Sequence, residues 1–503
     1  MNKFFTDLWA SLQIFYSNFN AKYGRLFNAV VVLVILALVL YALLRAILAG
    51  RKGRRSPSPM TTYQPDDKRM RHAADSLAQA IRIPSVTGDR EQLRAMGQFL
   101  TKRYPRAMEV MDRAMLPDGS MLLRWCAPGE TDQNPVMFCG HLDVVPGGDG
   151  WTVCEPFDGL RQDGCVYGRG AVDSKGVVIA LMEAVETLIE EGHTPRRDVY
   201  FAFGADEETG GKYGAKSIAD TLAQQGLKFD LILDEGCTFQ EIDCDGRTYS
   251  AAFIGMGEKQ QCEYLITVTC PGGHTSQPHR TTAVGILSEA ICRIESAQPH
   301  HRVIPLVRKR LDAAISMYPF GKRFVIANKP LFNLLVGLAF RDDPNVNSLI
   351  RTTIVPTKVE GSFPAANVLP TTVSAQLNAR LLPGDQPEKV LSDLQELLSD
   401  LPLEVELVHA GEESFITSDK QPMFRLLQDV LQEKFPHLPC IPTLMPSDSD
   451  ARHYCGLSDC VLRFAPIVTG EEGGGNTHMG DEFLAEDSLG MAVEIYRSLM
   501  KKL

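Results

Sequence analysis

The sequence predicts a doubly wound α/β domain that carries a smaller inserted α+β domain and is preceded by one membrane-spanning helix. Three observations support this fold class. An uncharged apolar run lies near the N-terminus, short apolar strands then alternate with an amphipathic helix, and after about residue 253 a second alternation of strands and helices follows. The 503 residues are enough for two or three domains.

The apolar run from Leu26 to Leu44 contains 19 residues without a charge. Because a helix needs roughly 20 apolar residues to cross a bilayer, we interpret residues 26–45 as a transmembrane helix. An N-terminal segment (1–25) precedes it, and a linker (46–67) rich in Pro, Ser and charge follows. A cleaved signal peptide and a buried core helix are the alternatives, although a signal peptide usually has a shorter apolar region. More Lys and Arg follow the run than precede it, which favours a cytoplasmic position for the large domain.

The composition excludes one broad class of function. The net charge of -11 argues against nucleic-acid binding, which normally requires a clustered basic face. The 12 cysteines are scattered without a CxxC pair. We interpret most of them as small buried residues, which favours a reducing compartment but leaves a single disulfide open.

The large domain is predicted from its buried strands. The runs PVMFCG, DVYFAFG and FDLILDEG are short, apolar and bounded by turn residues, as strands of a parallel sheet are. Between the first two, SKGVVIALMEAVETLIEE has the apolar spacing of one helix face. Residues 68–252 are therefore interpreted as the first part of a catalytic domain, and residues 413–503 as its second part.

Residues 253–412 are interpreted as a smaller inserted domain. Strand-like EYLITVTCPGGHTS, TTVSAQLNARLLPG and LEVELVHA alternate with helical AVGILSEAICRIES and PEKVLSDLQELLSD. The segment 302–349, which contains KPLFNLLVGLAF, fits neither pattern. A helical excursion, a membrane-touching surface and an oligomer contact are its three alternatives.

Polar side chains collect where the predicted parallel strands end. In an open α/β sheet, ligands bind beyond those carboxyl ends. The side chains that follow the strands are His141, Asp143, Asp206, Glu207, Glu208, Asp234 and Glu235, with Asp173 at the start of the amphipathic helix. Each alone has an ordinary explanation, such as a loop hydrogen bond or a helix N-cap.

Convergence of these side chains changes the interpretation. Several acids at one end of one sheet repel one another unless a cation neutralises them. Mixed histidine and carboxylate ligands suit zinc, with cobalt or manganese as alternatives. A carboxylate can bridge two such ions, and another can act as general base. His478, in the glycine-rich GGGNTHMGDEF, would supply the remaining histidine.

The motifs GHLDVVP, GRGAVDSKG, GADEETGG, LILDEG, PGGHTS and NTHMGDEF resemble, in the same order, those of the M20 family of dizinc metallopeptidases and amidohydrolases. The resemblance covers roughly residues 70 to 500. Within the family, the chain is most similar to carboxypeptidase S and the related secreted N-acyl amino acid hydrolases. The resemblance therefore implies a dizinc-peptidase-like catalytic domain with an inserted lid or dimerisation domain.

The resemblance also implies residue roles. It implies five metal ligands, namely His141, Asp173, Glu208, Asp234 and His478, of which Asp173 bridges both zinc ions. Glu207 would be the general base, and Asp143 would orient the imidazole of His141. His274 would stabilise the oxyanion, commonly in the active site of a partner subunit.

The remaining implied contacts are with the substrate. Arg380 and Asn367 would bind the substrate carboxylate and backbone, since a guanidinium group can grip a carboxylate with two hydrogen bonds. The segment PSDSDARHY, with Asp450 and Arg452, is expected only to shape the cleft. A homodimer through the inserted domain is implied by the resemblance alone.

The sequence thus predicts a membrane-anchored, zinc-dependent hydrolase that cleaves an amide bond beside a free carboxylate, of the carboxypeptidase or dipeptidase type. The alternative substrate is an N-acyl (fatty) amino acid, favoured if KPLFNLLVGLAF borders an acyl pocket or touches lipid. An alternative of another class is a catalytically silent, membrane-anchored binding or scaffold protein. In that alternative, the mutual repulsion of the clustered acids would destabilise the fold and serve no function.

Overall fold

A computed structural model describes residues 26, 28–51, 59–63, 66–244, 247–362, 365–413, 415–470 and 473–503. The chain divides into two compact units. The smaller unit contains the N-terminal apolar helix together with Ala314–Phe340, and the larger unit contains the rest of the described chain. The 11 cysteines described as free thiols include buried Cys139, Cys262 and Cys460.

The smaller unit is helical. Its helices, numbered in chain order with those of the larger unit, are α1 Asn28–Arg51, α10 Phe320–Ala327 and α11 Lys329–Ala339, with a 3-10 turn at Ile315–Met317. Within the described chain, α1 is the one helix long and apolar enough to cross a membrane. The unassigned segment 302–349 is therefore helical, and most of it lies in this unit.

The strands of the larger unit are β1 Asp112–Met115, β2 Met121–Trp125, β3 Val136–His141, β4 Leu160–Gln162, β5 Cys165–Tyr167, β6 Val199–Gly204, β7 Leu231–Asp234, β8 Phe239–Cys244, β9 Arg247–Glu258, β10 Gln260–Thr269, β11 Gly273–His274, β12 Thr353–Gly361, β13 Val368–Leu369, β14 Thr372–Leu381, β15 Glu404–Ala410, β16 Cys440–Met445, β17 Val461–Arg463, β18 Val468–Thr469, β19 Gly474–Gly475 and β20 Phe483–Ala485.

Its helices are α2 Pro59–Thr62, α3 Asp67–Ile81, α4 Arg90–Arg103, α5 Pro105–Val110, α6 Lys175–Glu190, α7 Ala215–Gln224, α8 Ala283–Ser296, α9 Pro305–Ala313, α12 Pro344–Asn347, α13 Pro387–Leu397, α14 Pro422–Lys434, α15 Ala451–Tyr454 and α16 Glu486–Lys502, and a 3-10 turn spans Glu207–Thr209.

The main sheet has the predicted parallel centre. Its strand order is β1-β2-β6-β3-β7-β17-β9-β8-β18, with β16 paired to β9. Strands β3, β6 and β7 are buried along their whole length, which explains their uninterrupted apolar sequences. The parallel register pairs His141 with Gly204, so the ends of β3 and β6 reach the same edge.

Helices cover the main sheet. The final helix α16 packs against both α3 and α6, although it is far from them in sequence. Its buried face includes Leu489, Val493, Tyr496 and Leu499. Burying a large apolar side chain contributes about 1.5–3 kcal/mol, so this helix is a substantial part of the domain's core.

The second sheet is antiparallel, in the order β12-β14-β10-β15. Its strand β14 alternates between buried and partly buried residues, and α8 and α13 share one core with its apolar face. The predicted domain boundary after residue 252 falls inside β9, because β9 stays in the main sheet until Glu258.

One residue, Lys259, joins the two sheets. Its side chain is buried, and its Nζ donates to the carbonyl oxygens of Ser348 and Arg351, each at 3.0 Å, and to Thr353 Oγ1 at 3.2 Å. These hydrogen bonds fix the connection between the sheets.

Candidate metal centre

A cavity of about 1180 Å3 lies beyond the carboxyl ends of the parallel strands. One wall carries residues that directly follow β6 and β7, and the opposite wall carries residues of β10, β14 and β15. Most of the lining side chains are polar or charged, and the apolar ones are few: Val172, Ala410, Met445, Ala465 and Ile467. This is the predicted place for a ligand site in an open α/β sheet.

His141 lies at the end of β3 and is 1% exposed. Its Nδ1 lies 2.9 Å from the main-chain oxygen of Asp143, and its Nε2 lies 2.9 Å from Asp173 Oδ1. Because a carbonyl only accepts, the first contact fixes a proton on Nδ1 and leaves Nε2 as the metal-facing atom. Burial opposes a charge on this ring, yet the hydrogen bonds with Asp143 and Asp173 raise the pKa of His141 well above its usual range.

Asp143 supports the turn that carries the predicted base. Its buried carboxylate accepts from the main-chain N–H of Glu207 at 3.2 Å and from that of Glu208 at 3.3 Å. Thr87 Oγ1 donates to the same carboxylate at 2.8 Å. Asp143 therefore holds the acidic turn after β6 in addition to contacting the imidazole of His141.

Asp173 lies between two histidines. Its Oδ1 contacts His141 Nε2 at 2.9 Å, and its Oδ2 lies 3.2 Å from His478 Nε2. His478 Nε2 also lies 3.2 Å from Glu208 Oε2. Hydrogen bonds with Asp173 and Glu208 raise the pKa of His478 to about 10. A carboxylate that offers one oxygen to each side has the arrangement of a bridging ligand.

Glu207 begins the 3-10 turn after β6 and lines the cavity. Burial raises the pKa of its carboxyl well above the usual range, and the positive charge of His141 opposes that rise. Nearby Asp450 and Glu235 raise it further. A carboxyl group whose environment favours the neutral form is suited to take up a proton.

Two adjacent acids, the predicted ligand Asp234 and its neighbour Glu235, lie at the end of β7. The Asp234 carboxylate is 1% exposed and accepts from the main-chain N–H groups of Glu235 at 2.9 Å and Ala451 at 2.7 Å. Each of its oxygens thus accepts one hydrogen bond from the backbone. Glu235, one residue beyond the strand, instead lies within metal-binding distance of His141 and Asp173. Burial and then the charge of Asp173 raise the pKa of Glu235 well above its usual range.

Glu482 is a supporting acid that the sequence did not indicate. It is fully buried and forms an ion pair with buried Arg169 at 2.7 Å. Its other oxygen accepts from the main-chain N–H groups of Val172 at 2.9 Å and Asp173 at 3.3 Å. Glu482 therefore fixes the loop that presents Asp173 to the two histidines.

Asp450 is a second buried acid near the cluster. Its side chain fits between two glycines, because a Cβ on Gly204 would lie 2.4 Å from Asp450 Oδ2 and one on Gly211 would lie 2.2 Å from Oδ1. Its Oδ1 has no hydrogen-bond partner within the described chain. Burial and the charge of Asp234 raise the pKa of Asp450 well above its usual range. Asp450 was predicted only to shape the cleft, and in the structure it also adds a carboxyl group beside the acidic cluster.

The loop that carries His478 is fixed to a distant loop. Asp481 accepts from the main-chain N–H groups of Thr152 at 2.7 Å and Val153 at 2.9 Å. A Cβ on Gly480 would lie 2.1 Å from the carbonyl oxygen of Gly150, so only glycine fits there without movement. The position of His478 therefore depends on this close backbone contact.

The donor set fits metal ions. Three overlapping groups bring one ligand atom from each residue within 4.8 Å of the others: His141, Asp173 and Glu235; His141, Glu207 and Glu208; and Asp173, Glu208 and His478. Asp173 belongs to two of these groups and links them. Partly buried carboxylates that lie this close together repel one another unless a cation compensates their charge. Mixed histidine and carboxylate donors in overlapping groups suit two adjacent zinc-type ions.

Arg380 is the predicted substrate residue that reaches the cavity. It lines the wall formed by the second sheet and pairs with Asp448. Asp448 also binds Arg452, whose Nη1 donates at 2.8 Å. One carboxylate thus bridges two guanidinium groups at the cavity, and Asp448 was not among the residues that the sequence indicated.

His274 and Asn367 are brought together outside this cavity wall. His274 is exposed on β11, which pairs with β13, and the main-chain oxygen of Asn367 accepts from Thr275 N at 3.1 Å. Both side chains are exposed, and neither lines the cavity. Within one chain, these two residues do not reach the acidic cluster.

The open α/β sheet and the paired histidine and carboxylate groups define a metallopeptidase-type hydrolase. Residues 137–502 match peptidase family M20/M25/M40, and the chain belongs to this family. Members are typically dependent on two metal ions.

Similarity to described proteins agrees with the assignment of the chain to this family. The chain is 29% identical to "N-fatty-acyl-amino acid synthase/hydrolase PM20D1" of Xenopus tropicalis, over 95% of this chain and 93% of that one. It is 31% identical to "Probable carboxypeptidase S-like 2" of Dictyostelium discoideum, over 80% and 78%. The structure of human carnosine dipeptidase 1 superposes with a TM-score of 0.65 at 16% identity, over 89% and 100%. This last similarity confirms the predicted fold.

Proposed function

We propose that the chain is a membrane-anchored dizinc hydrolase that cleaves an amide bond beside a free carboxylate, with a peptide as substrate. The observation that carries this proposal is the joining of two overlapping metal-type groups through Asp173, next to the partly buried Glu207. Arg380 on the opposite wall supplies a cationic contact for the substrate carboxylate.

Five side chains would hold the two ions, with Glu235 in place of the predicted Asp234: His141, Asp173, Glu208, Glu235 and His478. Zinc ions held by these residues would supply Lewis-acid chemistry, which would polarise the scissile carbonyl and lower the pKa of a water molecule. The chain's own groups orient these ligands, because Asp143 contacts His141 and Glu482 holds the Asp173 loop.

Glu207 moves the proton. Its carboxylate takes a proton from the attacking water, and the protonated carboxyl then donates that proton to the leaving amine. Burial and neighbouring acids favour the protonated form, which makes the first step, the uptake of the proton, easier. Asp143 accepts from the Glu207 main-chain N–H and so keeps the carboxyl group in place.

The substrate carboxylate would displace Asp448 from Arg380. Both present a carboxylate of the same geometry, and the guanidinium group can donate to either of them. His274 and Asn367 would act in the cavity of a second copy, since they lie together on exposed strands outside their own cavity. His274 would there donate to the developing oxyanion.

The polar lining of the cavity favours a peptide over a long acyl chain. An N-acyl (fatty) amino acid is the second candidate, supported by the 95% coverage shared with the Xenopus relative. The helix α1 would anchor the enzyme, and the excess of Lys and Arg after it favours a cytoplasmic position for the larger unit.

The test is metal analysis and hydrolysis on one preparation of the full chain in lipid nanodiscs. We expect two zinc ions per chain and cleavage of dipeptides or short peptides with a free C-terminus. N-acyl amino acids of increasing chain length form the second substrate set. Glu207→Gln serves as the matched control, with metal content retained and turnover reduced by about 100-fold to 10,000-fold. Absence of both transition metal and turnover would refute the proposal in favour of a silent scaffold.

A further inference from the structure

The smaller unit contains a helical hairpin that packs on the apolar helix α1. Asn328, between α10 and α11, donates through Nδ2 to the carbonyl oxygen of Ala42 at 3.2 Å and to that of Phe324 at 2.7 Å. A Cβ on Gly50 would lie 2.6 Å from Arg323 Nη1. Ala46, between these two points of contact, is fully buried. The hairpin therefore covers the C-terminal turns of α1.

Within the part of the chain that the structure describes, nothing packs on the rest of α1. Its described residues from Asn28 to Tyr41 are exposed, and nearly all of them are apolar. A helix of 24 residues is about 36 Å long, which exceeds a bilayer core of about 30 Å. The hairpin meets α1 where the uncharged run ends, near Leu44 and Arg45. The hairpin is thus placed at one boundary of the hydrocarbon region.

The outer face of α11 is also apolar. Leu334 and Leu338, four residues apart, are 75% and 72% exposed. Its inner face buries Phe332, Val336 and, just beyond its end, Phe340. A surface helix in water normally has charged residues on its outer face, whereas α11 has no charge after Lys329. Apolar residues on both faces indicate that neither face is in water.

We propose that the hairpin formed by α10 and α11 is a second membrane-contacting element. Its residues Leu334 and Leu338 insert into the leaflet that contains the C-terminal end of α1. Lipid contacts the outer face of α11, because that face belongs to the same compact unit as the exposed apolar surface of α1. Lys322 and Arg323 on α10 supply the basic charge that favours anionic headgroups. The proposal rests on α1 being a membrane anchor.

The test places a tryptophan at each position in the full chain. Leu334→Trp and Leu338→Trp are compared with Val34→Trp in α1 and with Val110→Trp in α5, which is 47% exposed in the larger unit. Each variant is reconstituted singly in nanodiscs of phosphatidylcholine and phosphatidylserine that carry a nitroxide on the acyl chain. The emission of the unsubstituted chain in the same nanodiscs is subtracted, since it contains three tryptophans.

We expect the Leu334 and Leu338 variants to be quenched to nearly the same extent as the Val34 variant, whereas the Val110 variant is not quenched. The proposal is overturned if both variants behave as the Val110 variant does. It is also overturned if their emission responds to a second copy of the chain instead of the nitroxide lipid. Quenching at Val34 alone refutes the hairpin contact and leaves the anchor intact, whereas no quenching at Val34 refutes the anchor as well.

Discussion

The buried pair of Glu482 and Arg169 gives the sharpest quantitative prediction, with the substitution Glu482→Gln. Glu482 is 0% exposed and Arg169 is 2% exposed. The glutamine oxygen can still accept from the N–H groups of Val172 and Asp173. Its NH2 group, however, would face the Arg169 guanidinium, which keeps its hydrogen bond to the carbonyl oxygen of Gly147 but stays buried without a counter-charge.

Breaking a buried ion pair by removing one charge costs about 3–5 kcal/mol, which is the expected loss in the free energy of unfolding. Because Glu482 also fixes the Asp173 loop, we expect the affinity for zinc to fall by about 10-fold to 100-fold. Urea unfolding and competition with a chromogenic chelator measure the two effects on the full chain in detergent micelles.

Glu486→Gln is the matched control, four residues further along. Glu486 pairs with Arg161 at 2.8 Å, but the Arg161 side chain is 29% exposed. Solvent therefore screens that pair, and the control should lose about 1 kcal/mol or less with unchanged zinc affinity. If the two variants proved equal in both stability and zinc affinity, the assignment of Glu482 as the support of the Asp173 loop would be refuted.

Three further predictions concern other parts of the site. Glu235→Gln should lower the zinc content per chain, whereas Asp234→Asn should retain it because the amide oxygen can still accept from the backbone. Elemental analysis measures the zinc content of both variants, and the reverse result would identify Asp234 as the ligand. Asp448→Asn should lower KM for a free-carboxylate substrate by up to about fivefold at unchanged kcat, since it frees the paired arginine; an unchanged or higher KM contradicts this. Gly480→Ala should cost about 1–3 kcal/mol and reduce activity through the clash in its loop, whereas Gly456→Ala, which meets nothing within 4 Å, should behave as the unsubstituted chain does in thermal unfolding.

The parallel core was predictable because its strands carry uninterrupted apolar runs, which few other structures tolerate. The collection of His141, Glu207 and Glu208 at one edge followed from the same argument, since parallel strands end together. Asp234 and Glu235 could not be separated in this way. Asp234 directly follows the apolar Leu233, and Glu235 comes next. Only the fold shows that Asp234 accepts two backbone hydrogen bonds, whereas Glu235 lies with His141 and Asp173.

Supporting residues were harder to predict than candidate ligands. Glu482, Asp448 and Asp450 are acids in loops without any periodic pattern, and their partners come from distant parts of the chain. The segment around α11 was ambiguous for another reason. An apolar helix of 11 residues has the same sequence pattern whether it packs on protein or on lipid. The exposure of Leu334 is known only from the folded unit.

The residues of the candidate metal centre come from sequence positions near both ends of the larger unit. Their separation along the chain has a consequence during protein synthesis. Roughly 340 residues separate His141 from His478, so at about 5–20 residues per second the ribosome needs roughly 17–70 s to complete the set. The loop with His478 is anchored only when Asp481 meets Thr152 and α16 packs on α3 and α6. A nascent chain, or one that lacks its last 30 or so residues, would therefore hold an incomplete set of ligands. Hydrolysis therefore requires that the segment with His478 has been synthesised and has packed against the loop with Thr152.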